Sequence, residues 1–340
     1  ESEIAAINMV YGGAGCGKKV MTSSSSPGIS LKQEGISYIA GAELPCLIVN
    51  VVRGGPGLGT IQPSQSDYFQ SVKGGGHGDY RLIVLTPASV QEMADFVELG
   101  FELAFKYRNP AMILTDGAIG QMMEKVWLSP QKERSKTVPE WAATGKPPTR
   151  ERVIITSLDL DPNGQERFNQ KLVAKYNEIR EKEVRYEEFQ CEDAEYLLVA
   201  YGTSARVCQK SVQLARKEGL KVGLLRPITL FPFPSKRISE LAGKAKIILS
   251  VEMSAGQMVE DVLLVHLFGA AHAGKAQRVL DQGEDDQHAD QHRGGGGHGE
   301  HGTDPRLGAA TAGVAGEVRY PLSVYLRNRS SNSITPLILF

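Results

Sequence analysis

Apolar positions along the chain recur with two periods, and the switches between them mark out the elements. Residues 1–15, ESEIAAINMVYGGAG, set Ile4, Ile7, Met9, Val10 and Tyr11 at roughly helical spacing before Gly12-Gly13 loosens the end. Residues 19–22 predict a short strand, serines follow, and residues 29–41 predict a helix broken at Gly35. The run at 44–52 is apolar and β-branched and too short for a helix with Pro45 near its head, so it predicts a buried strand. Residues 81–86 and 110–114 predict two more strands. Between them Ser89 and Glu92 form a capping box ahead of an apolar-striped helix over 90–107. Residues 165–189 predict a charged helix with Phe168, Leu172, Tyr176 and Ile179 on one side. A strand at 196–200, a turn at Gly202, a helix from a Thr203 cap to Lys217, a stop at Gly219 and a strand at 220–225 make one βαβ unit. A further strand is predicted at 247–251. Strands alternating with helices predict an α/β fold, a parallel sheet with helices on both faces.

Three stretches break the pattern. Residues 53–79, RGGPGLGTIQPSQSDYFQSVKGGGHGD, form a long glycine-rich segment between firm strands. A loop of that length, still carrying aromatic residues, points to function rather than to a spacer. Residues 128–152 are polar and proline-rich, as a linker would be. Beyond residue 261 the periodicity is lost, and residues 281–303 are of low complexity. The resulting division is 1–127, a first α/β domain; 128–193, linker and charged helix; 194–261, a second α/β domain; and 262–340, a tail expected to be disordered or the product of a frameshift.

Composition narrows the possible partners. Thirty-eight basic residues against 39 acidic ones leave a net charge of −1 in 340 residues, which argues against nucleic acid. Cys16, Cys46, Cys191 and Cys208 are scattered without a CxxC pair, giving no zinc or iron–sulfur signature and pointing to a reducing, cytoplasmic setting. No apolar run reaches the roughly 18 residues of a membrane span. No signal peptide is evident, and the chain opens on Glu1 rather than Met, which suggests that its true start is missing.

Several residues could carry chemistry, each with a plainer alternative. GGAGCGKK at 12–19 imitates a phosphate loop, but Lys19 stands where a magnesium-binding Ser or Thr belongs, and the segment leaves a helix instead of a strand. The pairs His288/His292 and His298/His301 have metal-ligand spacing in glycine-rich surroundings that would not fix them. Glu3 is either a solvated first-turn carboxylate or a functional one. Arg53, at the end of a buried strand, suits a structural ion pair or an anion site, and Asp67 is equally open. Ser24, Ser25 and Ser26 lie between two core segments at a strand's carboxyl end, where open α/β sheets bind polar ligands.

Longer motifs go further. ESEIAA, TSSSSPGISLKQEG, RGGPGLG, IQPSQSDYFQ, KGGGHGDYRLIVL, VRYEE, VAYGTSAR, LRPITLFPFPS and VEMSAGQM occur in one order. Over roughly residues 1–261 they resemble the alpha subunit of 2-oxoacid:ferredoxin oxidoreductases, most nearly the branched-chain type acting on 3-methyl-2-oxobutanoate (2-ketoisovalerate). The resemblance implies a thiamine diphosphate-binding fold: a pyrimidine-binding domain followed by a transketolase C-terminal-like domain. It implies oxidative decarboxylation of a 2-oxoacid, with coenzyme A taking the acyl group and ferredoxin the electrons. The cofactor would be shared with a beta subunit. Mg2+ and iron–sulfur clusters would sit on partner subunits, which include gamma and ferredoxin-like delta chains. Substrates of the 2-oxoglutarate or pyruvate type, another thiamine diphosphate class, and a non-catalytic structural subunit are the alternatives. Residue by residue, Glu3 matches the glutamate that hydrogen-bonds the aminopyrimidine ring and favours its imino tautomer. Arg53 matches an arginine that holds the substrate carboxylate, Ser24–Ser26 match the pocket loop, and Asp67 matches a polar position near the cofactor. The resemblance also implies an N-terminal strand with a YPITP-like motif ahead of Glu1, and a different ending after about residue 261.

Overall fold

A computed structural model describes residues 2–131, 133, 137–146, 148–265, 322–328 and 334–339. Helix α1 (Glu3–Gly15) is opened by Ser2, whose hydroxyl accepts from the Ala5 amide, and leads to strand β1 (Met21–Ser24). Helix α2 (Pro27–Gly41) starts with proline at its first turn and delivers the chain to β2 (Leu47–Val52). A short helix, α3 (Tyr68–Val72), interrupts the glycine-rich segment. Strand β3 (Ile83–Leu85), helix α4 (Val90–Tyr107), strand β4 (Ala111–Asp116) and helix α5 (Gly117–Gln121) complete the first run. The capping box is present in altered form. Ser89 Oγ accepts from the Glu92 amide at 3.2 Å, but the Glu92 carboxylate accepts from Ala88 N and not from Ser89 N.

The second run begins with α6 (Pro162–Lys182) and β5 (Tyr186–Phe189), followed by β6 (Tyr196–Ala200), α7 (Gly202–Lys217), β7 (Val222–Pro227), β8 (Thr229–Phe231), α8 (Ser235–Ala242) and β9 (Ile247–Glu252). The predicted helix over 165–189 is therefore two elements. It ends at Lys182, and Tyr186–Phe189 pairs antiparallel with β7 in a register no local pattern dictates. Tyr201, not Thr203, is the N-cap of α7.

Two sheets result. The first has the order β1-β2-β4-β3-β8, parallel throughout except for the last strand. The second has the order β11-β10-β9-β6-β7-β5, where β10 (Leu322–Asn328) pairs antiparallel with β9 and β11 (Ile334–Leu339) pairs antiparallel with β10. These are strands in a tail whose sequence shows no strand period; residues 266–321, 329–333 and 340 lie outside the described residues. Strand β8 belongs by sequence to the second run and by hydrogen bonds to the first sheet, with Val84 opposite Phe231. A single apolar cluster consequently runs from Ile7 and Ile36 through Ile83 to Tyr201, Leu230 and Val262. Helix α2 passes unbroken through Gly35, where a methyl group would stand 2.5 Å from Ile7 Cγ2. The glycine is there to let α1 and α2 close, and the sterics of packing outweigh its weak helix propensity.

Candidate functional site

The carboxyl ends of β1, β2 and β4 lie side by side because their register pairs Ser24 with Asn50 and Val52 with Asp116. That edge collects the serines, Arg53 and, through the folded-back loop, Asp67. Asn50 joins them. It is fully buried, the one polar residue in LIVNVV. Its Oδ1 accepts from the Ser26 amide at 3.2 Å, and its Nδ2 donates to Asp67 Oδ2 at 2.9 Å. Ser26 Oγ in turn accepts from the Arg53 amide at 3.1 Å and donates to the Arg53 carbonyl at 3.3 Å. One asparagine therefore ties the serine loop, the strand end and the glycine-rich loop into a single network.

Glu3 approaches from α1. A Cβ added to Gly28 would lie 2.0 Å from Ser24 Oγ and 2.9 Å from Glu3 Oε1. Carboxylate, hydroxyl and bare backbone thus meet around a notch that any side chain at residue 28 would fill. Ser25 supplies its carbonyl to the Gly28 amide at 2.8 Å. Arg53 has a buried Nε without a hydrogen-bond partner. An unpartnered guanidinium nitrogen is costly unless it meets an anion. Beneath β1, Lys32 is buried on α2 and donates to Thr22 Oγ1 at 2.7 Å.

All six sequence-predicted positions, Glu3, Ser24, Ser25, Ser26, Arg53 and Asp67, gather at this one edge. Asn50, Gly28 and Lys32 are the additions that sequence reasoning missed. Only Asn50 left a signal, a polar residue interrupting an otherwise apolar strand.

The glycine-rich loop is held from outside the first sheet. Gln65 Nε2 donates to the Tyr201 carbonyl at 2.9 Å, while its Oε1 accepts from Ser204 Oγ and the Met253 amide, each at 2.8 Å. Gln257 Nε2 donates to the Ser66 carbonyl at 2.7 Å, and Tyr68 donates its hydroxyl to Asp261 at 2.6 Å. Burial and then the Asp261 charge push the Tyr68 hydroxyl well above its ordinary pKa, so it stays a donor. The second run of elements therefore fixes the loop that carries Asp67.

The phosphate-loop imitation does not form a site. Gly12–Gly15 of the GGAGCGKK segment are the last residues of α1, so the order is helix, loop, strand, opposite to a phosphate loop. His288, His292, His298 and His301 lie outside the described residues. Among the described residues, no group of three or more His, Cys, Asp or Glu could hold a metal, and no helix is long and apolar enough to cross a membrane. A cleft of about 540 Å³ lies between Ser89, Glu187, Arg206 and Arg226. Its charges neutralise one another, Arg226 with Glu92 and Glu187, and Arg206 with Glu124.

Known proteins resemble this chain in sequence and in fold. A family model described as pyruvate flavodoxin/ferredoxin oxidoreductase, thiamine diphosphate-binding, matches residues 1–196. A second, pyruvate:ferredoxin oxidoreductase core domain II, matches residues 194–273. The chain is 57% identical over 262 residues to the ketoisovalerate oxidoreductase subunit VorB of Methanothermobacter thermautotrophicus, covering 77% of this chain and 74% of that one. It is 36% identical over 291 residues to the 2-oxoglutarate synthase subunit KorA of Methanothermobacter marburgensis, covering 77% and 76%. Among solved structures, the 2-oxoglutarate:ferredoxin oxidoreductase of Magnetococcus marinus, with 2-oxoglutarate, coenzyme A and succinyl-CoA bound, superposes with a TM-score of 0.65 at 28% identity. That match covers 78% of this chain and 51% of the solved one.

Proposed function

The chain belongs to the pyruvate flavodoxin/ferredoxin oxidoreductase family, and on that premise we propose that it is the alpha-type subunit of a thiamine diphosphate-dependent 2-oxoacid:ferredoxin oxidoreductase. The proposed reaction converts 3-methyl-2-oxobutanoate, or a related branched-chain 2-oxoacid, with coenzyme A into acyl-CoA and carbon dioxide. Ferredoxin would take the two electrons, one at a time, by way of iron–sulfur clusters held by partner subunits. The substrate class is supported by 57% identity to a ketoisovalerate oxidoreductase subunit against 36% to a 2-oxoglutarate synthase subunit.

The observation that carries this reading is the notch between Glu3, Ser24 and Gly28, set beside an Arg53 nitrogen that has no partner. These residues fit the aminopyrimidine end of the cofactor and the carboxylate of an oxoacid. Bound thiamine diphosphate supplies the nucleophilic carbon and the electron sink that decarboxylation requires. Glu3 would set its carboxylate against the aminopyrimidine ring nitrogen and exchange a proton with it, the general acid–base role open to a half-buried carboxylate. Ser24 and Ser25 line the wall, and Ser26 and Asn50 hold that wall against Arg53 and Asp67. Arg53 orients the oxoacid by its carboxylate.

The remaining assignments rest on the same premise. Residues 1–127 form the pyrimidine-binding domain, 128–193 the linker and charged helix, and 194–261 the transketolase C-terminal-like domain. A beta subunit completes the cofactor site and holds Mg2+ and a cluster, with gamma and ferredoxin-like delta subunits beside it, in the cytoplasm.

Co-expression with the neighbouring subunits under anaerobic conditions tests the proposal. Viologen reduction dependent on coenzyme A is expected with 3-methyl-2-oxobutanoate in preference to 2-oxoglutarate and pyruvate. Glu3→Gln is expected to lower kcat by about 10²-fold or more with assembly intact. Full turnover by an assembled Glu3→Gln complex would remove Glu3 from the chemistry and favour a structural subunit. Preference for another oxoacid would move the substrate and keep the mechanism.

A further inference from the structure

Lys32 is buried where an uncharged side chain would ordinarily stand. It is 1% exposed on the inner face of α2, and an ammonium removed from water needs compensation from its surroundings. Its Nζ donates to Thr22 Oγ1 at 2.7 Å and to the Ser23 carbonyl at 3.0 Å, both uncharged acceptors at the end of β1. The residue after them is Ser24, whose hydroxyl and the Glu3 carboxylate border the Gly28 notch. Lys32 therefore sits behind the Ser24 wall of the notch that the Glu3 carboxylate borders from α1.

The charges around it are few. Helix α1 presents Glu3 and, further along, Tyr11; β1 and β2 carry no titratable side chain. The loop that packs on Gln33 and Ser37 carries Lys73, His77 and Asp79, and α2 itself carries Glu34, which accepts from the Tyr38 hydroxyl on the exposed side. Of these groups Glu3 is the one that borders Gly28, one turn before Lys32 on the same helix. Burial pulls the lysine below its ordinary pKa of 10.5, and the negative charge of Glu3 pulls it part of the way back. A methionine would fill the same space without that desolvation cost, so the position is using the charge.

We propose that Lys32 is a positioning residue for Glu3: its ammonium, pinned from beneath to the end of β1, is the countercharge that draws the Glu3 carboxylate onto Ser24 and Gly28 and holds it at the notch. The inference rests on the reading that Glu3 meets the aminopyrimidine ring. Its effect is to set where the carboxylate waits before the cofactor arrives, which is a matter of binding before it is one of turnover.

The test uses the full chain in its assembled complex, stripped of cofactor and titrated with thiamine diphosphate by calorimetry. Lys32→Met is expected to keep fold and assembly, with an unchanged or higher Tm, yet to bind the cofactor about ten-fold more weakly, within the range by which neighbouring groups couple. Wild-type affinity is expected to fall at alkaline pH as Lys32 loses its proton, at a pH below lysine's ordinary value; Lys32→Met lacks that fall. Thr22→Val, which removes one acceptor from the ammonium, moves the fall to lower pH. Wild-type affinity and an unchanged alkaline profile in Lys32→Met would overturn the proposal. Should that variant fail to assemble, an unmoved profile in Thr22→Val would overturn it instead. Glu3→Gln separates the two readings. If it binds and turns over normally, the role of Glu3 falls and that of Lys32 with it; if it is impaired while Lys32→Met is not, Lys32 alone is wrong.

Discussion

Asn50 shows how much can depend on one side chain at the residue scale. Its amide uses an acceptor toward Ser26 and a donor toward Asp67, so a single group holds two loops that never meet in sequence. Asn50→Leu preserves bulk and strand propensity but leaves the Ser26 amide and an Asp67 oxygen without partners, at a cost of about 2 kcal/mol. A thermal scan is expected to show a Tm lower by several degrees, and steady-state kinetics a raised KM for the oxoacid, because Arg53 loses its support through Ser26. A variant with wild-type Tm and KM would show that water replaces the amide. The polar interruption in LIVNVV was visible in sequence; what it bonds to was not. Both partners come from loops whose path is fixed by the sheet register and not by local pattern.

At the scale of elements, α1 and α2 form the frame for Glu3. They close on each other with Ile7 against Gly35 and Glu3 against Gly28. Gly35→Ala puts a methyl 2.5 Å from Ile7 Cγ2, so the helices must part, at about 1–3 kcal/mol. The expected outcome is a lower Tm together with weaker thiamine diphosphate binding, read by calorimetry, because Glu3 moves with α1. Lower stability with unchanged cofactor affinity would show that the helix ends are held independently. Helices α1, α2 and α4 and strand β2 were legible because each carries a long apolar period or a cap. Gly35 misled, because propensity counts the lost side chain and not the neighbour that needs the room. Strand β5, YEEF, was hidden by its charges: Arg237 pairs with Glu188 and Arg226 with Glu187, so the strand is fixed by partners distant in sequence. Strand β8 is three residues long, too short to show any period.

Across the whole molecule, Glu183 is one of the charged joints between the runs. Buried at the end of α6, it accepts from Lys106 Nζ at 2.6 Å and Tyr107 Oη at 2.7 Å on α4, and from Arg185 at 3.0 Å. Burial pushes its pKa up, but the hydrogen bonds from Lys106, Tyr107 and Arg185 outweigh this and hold the carboxyl below its usual value. A carboxylate with a lowered folded pKa contributes stability above its unfolded value and loses it as pH falls through the folded one. Wild type is therefore expected to melt above Glu183→Gln at neutral pH, with the gap narrowing below about pH 4. A gap that stays constant across that range would mean that geometry, not charge, sets the joint.

Strand β8 gives the chain a property that no residue count conveys. Because Thr229–Phe231 completes the edge of the first sheet, the halves on either side of residues 128–152 are woven, not strung. A protease that cuts in that stretch leaves two pieces still sharing a sheet and a core, which separate only on unfolding. The same weave means that neither half can be expressed alone as a finished body: the first would have a bare β3 edge, and the second would trail a strand with nothing to pair.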